Sequence, residues 1–436
     1  MKEGNMLKEK ILKREAKICV VGLGYVGLPL ILEFAAKGFE VCGIDVDAVK
    51  VKMLKEGKSY VDDITDQAIK EIVDKKLFIP TGSFELVKKC DCIIICVPTP
   101  LRKTKEPDMS FIVNAFSGIL PYLKKDQLII LESTTYPGTT REILAPMLGE
   151  KGFKIGKDIF LCFSPERIDP GNKKFPVAKI PKIVGGIDKV SCDIGAYLYG
   201  QIIEEIIKVS SCDVAETAKL LENTFRSVNI GLANEMQLLC HKLGVDIWEV
   251  IDAAATKPYG FMPFYPGPGL GGHCIPVDPV YLSWRAKMFG FEPRLIDSAH
   301  QINAYMPAHI VERMADILNK DKKALNDAKI LIMGVSYKKD IKDTRESPVL
   351  EIISLLRKAG SRVDYCDPYV EEIKVEGKTL KSKKINPKNL TEYDLVGILT
   401  AHTNIDYESI VKHSKVIFDT RNALKNFKTN RKIVKL

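Results

Sequence analysis

The run Gly267-Pro268-Gly269-Leu270-Gly271-Gly272-His273-Cys274-Ile275-Pro276-Val277-Asp278 sets a thiol at the end of a glycine stretch and a carboxylate four residues further on. Four glycines in six positions let the backbone take conformations closed to other residues and let a ligand come close. A thiol held there can attack a carbonyl carbon, and a neighbouring carboxylate can move protons or water. Alone, the run describes a tight loop with a buried Cys and a capping Asp equally well. The start of the same chain separates the two readings. Gly22-Leu23-Gly24-Tyr25-Val26-Gly27 follows the β-rich run Lys17 to Val21 and opens a helical pattern through Ala36, the context of a dinucleotide-binding turn. A thiol and a hydride acceptor in one chain point to oxidation of an aldehyde through a covalent thioester.

In that turn the glycines allow a tight bend, close approach of a pyrophosphate and close helix packing, and the helix N-terminus favours the anion. A second strand, Glu40 to Ile44, ends at Asp45. A carboxylate there accepts hydrogen bonds from a ribose diol and repels a 2′-phosphate, which favours NAD over NADP. Further strands are expected at Cys92 to Val97, Leu128 to Leu131, Ile159 to Phe163 and Lys182 to Val184. Thr99 and Thr134 follow two of them and are placed either to touch cofactor or substrate or to cap a helix. Lys219 and Asn223 lie four apart on one helix face and could stabilise an oxyanion, though a solvated lysine is the commoner outcome. Asp213 and Glu216 read as first-turn helix charges.

Strands alternating with helices predict a parallel doubly wound sheet over residues 1–210. From 211 to 325 the pattern turns helical: Cys212 to Leu243, Ile247 to Ala255, and Pro293 through Leu318, kinked or interrupted by Pro307. Strand signals return at Lys329 to Val335, Arg362 to Cys366, Leu395 to Leu399 and Val416 to Phe418, giving a second α/β domain over 326–436. Gly334 begins no second Gly-x-Gly-x-x-Gly, so one dinucleotide site is expected.

With 436 residues, 46% hydrophobic and 28% charged, the chain is long enough for two or three domains with sizeable cores. The net charge of +9 is scattered among acidic residues, which argues against nucleic acid and suits small anionic ligands. Residues 1–14 lack the apolar core of a signal peptide, and Cys19 to Ala36 is broken by glycines, Pro29 and Glu33, so no membrane partner is expected. Eleven cysteines without zinc spacing indicate reduced thiols in the cytoplasm and no metal site, with Cys90, Cys92 and Cys96 as core thiols.

Taken together, these motifs resemble the UDP-glucose/GDP-mannose dehydrogenase family from about Lys17 to Arg421. The resemblance rests on the Gly22 turn with Leu28-Pro29, Ser164-Pro165-Glu166, Lys219 with Asn223, the His273-Cys274 loop with Asp278, and Lys338-Lys339-Asp340 leading into Asp343-Thr344-Arg345-Glu346-Ser347. It implies two Rossmann-like domains joined by a helical dimerisation segment, so a homodimer or a multiple of it. It also implies four-electron oxidation of a sugar C6 alcohol to a carboxylate with two NAD. Cys274 would hold the thiohemiacetal and thioester, and Lys219 and Asn223 the C6 oxygen. Asp278, Glu166 and a water held with Thr134 would manage protons, with no single base singled out. Cofactor contacts are expected at Gly22, Gly24, Tyr25, Val26, Gly27, Asp45, Lys50, Thr99 and Thr134. UDP-sugar contacts are expected at Glu166, Arg167, Lys219, Asn223, Gly271, Lys338, Arg345 and Arg421. Where UDP-glucose enzymes carry a second Glu four residues after Glu166, this chain has Pro170. With Lys257-Pro258-Tyr259-Gly260-Phe261-Met262-Pro263 this resembles the branch acting on UDP-N-acetylhexosamines, and the gluco epimer more than the manno. A two-electron hydroxyacid dehydrogenase could share the Lys/Asn pair but has no use for the thiol.

If Asp45 faces the ribose 2′ position, NAD supports faster turnover than NADP at equal concentration. Asp45→Ala should then narrow the preference by weakening NAD and removing the repulsion. Steady-state rates with both cofactors check this, and faster turnover with NADP in the unaltered protein refutes it.

Overall fold

The computed structural model describes residues 5–61, 63–167, 176–427 and 432–436. It divides into two compact units, Met1–Glu222 with Val280–Gly290, and Asn223–Pro279 with Phe291–Leu436.

In the first unit eight strands make one sheet: β1 (Ile18–Val21), β2 (Val41–Ile44), β3 (Phe78–Thr81), β4 (Cys92–Ile95), β5 (Gln127–Leu131), β6 (Ile159–Phe163), β7 (Lys182–Gly186) and β8 (Ile206–Val209). Their order is β3-β2-β1-β4-β5-β6-β7-β8. The central strands are buried along their whole length, as a sheet covered on both faces requires. Alternate residues serve opposite cores: Ile18, Val20, Cys92 and Ile94 face one cluster, and Cys19, Val21, Ile93 and Ile95 the other. Because β1 lies between β2 and β4, the crossovers leave it in opposite directions, and a crevice opens at the carboxyl ends of these strands.

The expected parallel sheet holds for every neighbouring pair but one. The β6–β7 pair is antiparallel, through Cys162↔Gly186 and Phe163↔Gly185. Strands β3 and β8 were not expected from the sequence. Both are edges, and β3 contains Pro80, which cannot donate to a ladder and survives only where one side needs no donor.

The helix Cys212–Leu243, 32 residues long, begins in the first unit and ends in the second. No strand interrupts residues 213–328; besides Ile247–Ala254 and Arg294–Lys320 they hold an unexpected helix, Asp278–Met288. Pro307 lies inside Arg294–Lys320 without interrupting it. An interior proline costs roughly 3 kcal/mol. Met306, Ile310, Met314 and Ile317, all buried around it, supply more than that by packing.

The second unit's sheet comprises β9 (Lys329–Met333), β10 (Arg362–Cys366), β13 (Leu395–Ile398), β14 (Ile417–Asp419) and β15 (Ile433–Lys435), parallel throughout in the order β10-β9-β13-β14-β15. A separate hairpin joins β11 (Glu372–Val375) to β12 (Lys378–Lys381). Glu376 and Gly377 both have positive φ there, 49° and 76°, the signature of a two-residue hairpin turn. Gly334 has φ 80°, and a Cβ on it would lie 2.4 Å from the Thr400 carbonyl oxygen, so packing explains that glycine. Nine of the eleven free cysteines are buried, Cys90, Cys92 and Cys96 among them. Among the described residues no helix is long and apolar enough to cross a membrane.

One core contact makes the second unit acid-sensitive. His309 is buried beside Arg313, and burial first, then the guanidinium, lowers its pKa from 6.5 to about 4. Its neutral form is therefore the folded form. The stability this contributes is complete above pH 6.5 and is lost as pH falls toward 4. By linkage the loss is roughly 2 kcal/mol at pH 5. Thermal melts at pH 7 and pH 5 should show a smaller acid-induced drop in His309→Gln than in the parent; equal drops would refute the assignment.

Candidate active site

The dinucleotide turn is built as its spacing requires. Gly22 has φ 95°, and a Cβ there would lie 2.5 Å from the Cys96 carbonyl oxygen; one on Gly27 would lie 2.0 Å from the Gly22 oxygen. A Cβ on Gly24 would meet nothing within 4 Å. The first and third glycines thus serve the protein's own packing, and the second leaves its backbone open to a ligand. Tyr25 and Val26 pack on the core beneath. Asp45 accepts hydrogen bonds from Leu23 N and Asp47 N, both at 2.9 Å, so one carboxylate straps the turn to the end of β2. Each carboxylate oxygen keeps a further acceptor site for a ribose hydroxyl. Lys50 Nζ stands 3.9 Å from Asp45 and lies over the Tyr60 ring. These residues fit a dinucleotide.

Beyond β4, half-buried Thr99 sits in the loop whose Pro100 carbonyl accepts from Tyr281 Oη at 3.2 Å. Beyond β5, Ser133 Oγ donates to Val97 O at 2.8 Å and Thr135 Oγ1 meets Thr139 Oγ1 at 2.6 Å, so half-buried Thr134 is held between two fixed neighbours. Glu132, also buried, is paired with Lys182 and with Tyr199 Oη at 2.7 Å. Beyond β6, the Glu166 carbonyl accepts from Lys219 Nζ at 2.6 Å, and the Glu166 carboxylate lies 3.9 Å from that ammonium. Arg167 pairs with Glu222 at 2.7 Å and donates to Pro181 O at 2.6 Å. One reading is corrected here, and one alternative falls. Glu216 is fully buried, accepting from Gly138 and Thr140 instead of facing solvent as a helix-start charge, and Lys219 is buried, which removes the solvated alternative for it.

In the second unit the Cys274 loop is fixed at three points. Gly267 N donates to Asn234 Oδ1 at 3.0 Å, and a Cβ on Gly267 would strike the Arg421 guanidinium. Gly272, with φ 84°, donates to Arg345 O at 3.2 Å. Gly271 fits against Tyr337, whose Cβ would lie 2.5 Å from a Cβ at that position. The Cys274 carbonyl then accepts from Val277 N and Asp278 N, at 3.2 and 2.8 Å, turning the chain into the Asp278–Met288 helix. That turn leaves the thiol half-exposed and sends the buried Asp278 carboxylate to Asn223 Nδ2 at 2.5 Å. His273 titrates below its ordinary value, through burial and then the Arg345 charge. Arg345 forks onto Asp343, with the shortest contact at 2.6 Å. Lys338 sits in a loop held by Ser336 Oγ, which donates to its carbonyl at 2.8 Å. The expected residues Cys274, Asp278, Asn223, Gly271, Arg345 and Arg421 therefore share this unit. Pro170 lies outside the described residues.

Several residues of these sites were not picked out from the sequence as positioning groups. Asn234 donates to Asn303 Oδ1 at 2.8 Å and Asn303 to Ser227 O at 3.0 Å, a buried amide relay ending at Gly267. A signal was present: Glu216, Lys219, Asn223, Ser227, Asn234 and Gln237 recur at helical spacing along one buried polar stripe.

A dinucleotide turn at the switch point of a doubly wound sheet, with a buried lysine beside a carboxylate and a glycine-mounted thiol elsewhere in the chain, defines a nucleotide-dependent oxidoreductase. Family models match end to end: the NAD binding domain of the UDP-glucose/GDP-mannose dehydrogenase family at residues 16–203, its central domain at 213–305 and its UDP binding domain at 331–426. The chain belongs to the UDP-glucose/GDP-mannose dehydrogenase family, and is an oxidoreductase with an NAD-binding domain. It is 37% identical over 359 residues to a UDP-N-acetyl-D-glucosamine 6-dehydrogenase of Pseudomonas aeruginosa, covering 82% of this chain and 84% of that one. It is 33% identical to a UDP-N-acetyl-D-mannosamine dehydrogenase of Methanococcus maripaludis, over 94% and 93%. The solved UDP-D-ManNAc dehydrogenase of Pyrococcus horikoshii superposes with a TM-score of 0.87 at 32% identity, over 96% of this chain and 98% of that one.

The close fit at Gly271 makes a size test direct. Gly271→Ala should lower stability by about 1–3 kcal/mol, the usual cost of overpacking, read from denaturant midpoints. A midpoint equal to the parent's would show that Tyr337 yields freely.

Proposed function

We propose that the protein oxidises the C6 primary alcohol of a UDP-N-acetylhexosamine, with UDP-N-acetylglucosamine preferred, to the UDP-uronate. One observation carries the reading: Cys274 ends a glycine loop whose own carbonyl forms the turn that delivers Asp278 to Asn223. NAD, when bound, accepts the hydride in each of the two oxidations. Lys219 and Asn223 hold the C6 oxygen, and the buried ammonium favours the alkoxide over the alcohol. The Cys274 sulfur bonds to the aldehyde carbon, and the carbonyl oxygen takes up a proton to give a thiohemiacetal that keeps the aldehyde bound. At the thioester level, a water held with Thr134 adds to the carbonyl carbon, and Asp278 and Glu166 are the groups that manage its protons. The C–S bond breaks, the thiol regains its proton and the carboxylate leaves. Over the cycle one alcohol, one water and two NAD become one carboxylate, two NADH and three protons.

We divide the roles as NAD binding in 1–210, the thiol loop in 211–325 and UDP binding in 326–436, where Lys338, Arg345 and Arg421 supply charge for a diphosphate. Phe225, Leu232, Leu239 and Leu243 are exposed at spacings of seven, seven and four on one helix. That stripe suits burial in a homodimer. Eleven free thiols suit a reducing cytoplasm. The acetamido branch is favoured by Pro170 and by the names of the similar proteins, which divide between the gluco and manno sugars.

Cys274→Ala should abolish uronate formation while the protein still folds and binds NAD. Cys274→Ser should accumulate an ester adduct visible by mass spectrometry. Parent-like turnover with two NADH per sugar in the alanine variant would sink the covalent route. In the parent, kcat/KM for UDP-glucose should fall roughly ten- to a hundredfold below that for the acetamido sugar, because a pocket built for an amide leaves about 1–3 kcal/mol of unpaired polar groups. UDP-glucose matching both acetamido sugars would refute the branch, and a lead for the manno epimer would overturn only the epimer.

A further inference from the structure

We infer that Glu216 is a positioning residue: its buried carboxylate ties the loop after β5 to the helix that carries Lys219, and so sets where Thr134 stands relative to that lysine. The inference rests on the roles proposed above for Thr134 and Lys219.

Glu216 is fully buried. Its Oε2 accepts from Gly138 N at 2.6 Å, and its Oε1 accepts from Thr140 N at 2.9 Å and Thr140 Oγ1 at 2.7 Å. All three donors are uncharged and come from one turn. A carboxylate buried this way costs more than an apolar side chain of the same size would, so packing alone does not account for it. Glu216 stands three residues before Lys219, on the same face of the helix. That face therefore receives the loop after β5 at Glu216 and, one turn on, the loop after β6 where Lys219 meets Glu166.

The loop between Glu216 and Thr134 is stiff enough to transmit a displacement. Ser133 is bonded to Val97 and Thr135 to Thr139, and Thr139 Oγ1 donates to Tyr136 O at 2.8 Å. Gly138 has φ 97°, and a Cβ there would meet Arg285 Nη2 at 2.7 Å and Glu142 Oε1 at 2.8 Å. Arg285 binds Glu142 at 2.5 Å and lies over the Tyr136 ring. Thr135 and Thr139 thus link the turn that Glu216 holds back to Thr134, and on this inference losing the carboxylate displaces Thr134 from the Thr135 side. A misplacement near 1 Å at a reacting centre costs on the order of a hundredfold in rate.

Burial also raises the Glu216 carboxyl to about 7. The titratable and charged groups around it are Cys212 and Asp213 on its own helix, Tyr136, Arg141 and Glu142 on the segment it binds, and Arg285 from the Asp278–Met288 helix. Protonation puts a hydrogen on an oxygen that must accept, so the clasp loosens as pH falls through 7.

The test compares the full-length parent, Glu216→Gln and Thr140→Val, following NADH formed from NAD and the UDP-N-acetylhexosamine the parent oxidises, from pH 6 to 9. NAD affinity and melting temperature are measured in parallel. The parent is read first: if it oxidises none of the UDP-sugars, the function proposed above fails, and that is a separate result. With an active parent, Glu216→Gln should lower kcat about ten- to a hundredfold with KM for both substrates within about threefold, and lose the fall in kcat below pH 7. Thr140→Val should give a smaller kcat loss in the same direction. A Glu216→Gln kcat within twofold of the parent's overturns the inference. So does a loss matched by equal weakening of NAD binding, which would mark a general structural role. If Glu216→Gln does not fold, parent-like kcat in Thr140→Val overturns it instead.

Discussion

A long helix that buries a polar face is the constraint on which the rest depends. Cys212–Leu243 carries Glu216, Lys219, Asn223, Ser227, Asn234 and Gln237 into the interior while Phe225, Leu232, Leu239 and Leu243 stay exposed. That inverts the usual amphipathic arrangement. Buried polar groups call for partners, and four of these find theirs in four different loops. Glu216 takes the turn after β5, Lys219 the carbonyl after β6, Asn223 the carboxylate after the thiol, and Asn234 the first glycine of the thiol loop. Within the first unit, Glu216 and Lys219 thereby hold two loops one helical turn apart.

The two glycine-rich segments obey different constraints. In the dinucleotide turn, Gly22 and Gly27 are required by backbone contacts inside the protein, and only Gly24 is open toward a ligand. In the thiol loop, Gly267 and Gly271 are required by side chains from the carboxyl-terminal region, Arg421 and Tyr337. Arg421, one of the residues expected to grip a nucleotide, therefore also shapes the loop that presents the thiol. Arg345 is a further case, its carbonyl accepting from Gly272 while its guanidinium forks onto Asp343.

Edges and interruptions show where pattern reading stops. β3 and β8 close the ends of the large sheet, and β15 one end of the smaller. An edge strand buries less, so its residues need not form an apolar run, and β3 tolerates Pro80 for the same reason. Pro307 is the converse case: a strong local breaker overridden by the buried residues around it.

The sequence by itself determined the central strands, the dinucleotide turn with Asp45, the change to helices after residue 211, and the Cys274–Asp278 spacing. Each is set by neighbours within a few residues: apolar alternation, glycine positions, a turn, a helical repeat. Those features also sufficed to recognise the family. Only the tertiary structure decided that Lys219 is buried against Glu166, that Asp278 reaches Asn223 across 55 residues, and that Glu216 is an acceptor in the interior and not a helix-start charge. A lysine on an amphipathic helix reads the same whether its face meets water or a loop. What distinguishes the two is the partner that arrives from far along the chain, and a local pattern carries no record of that partner.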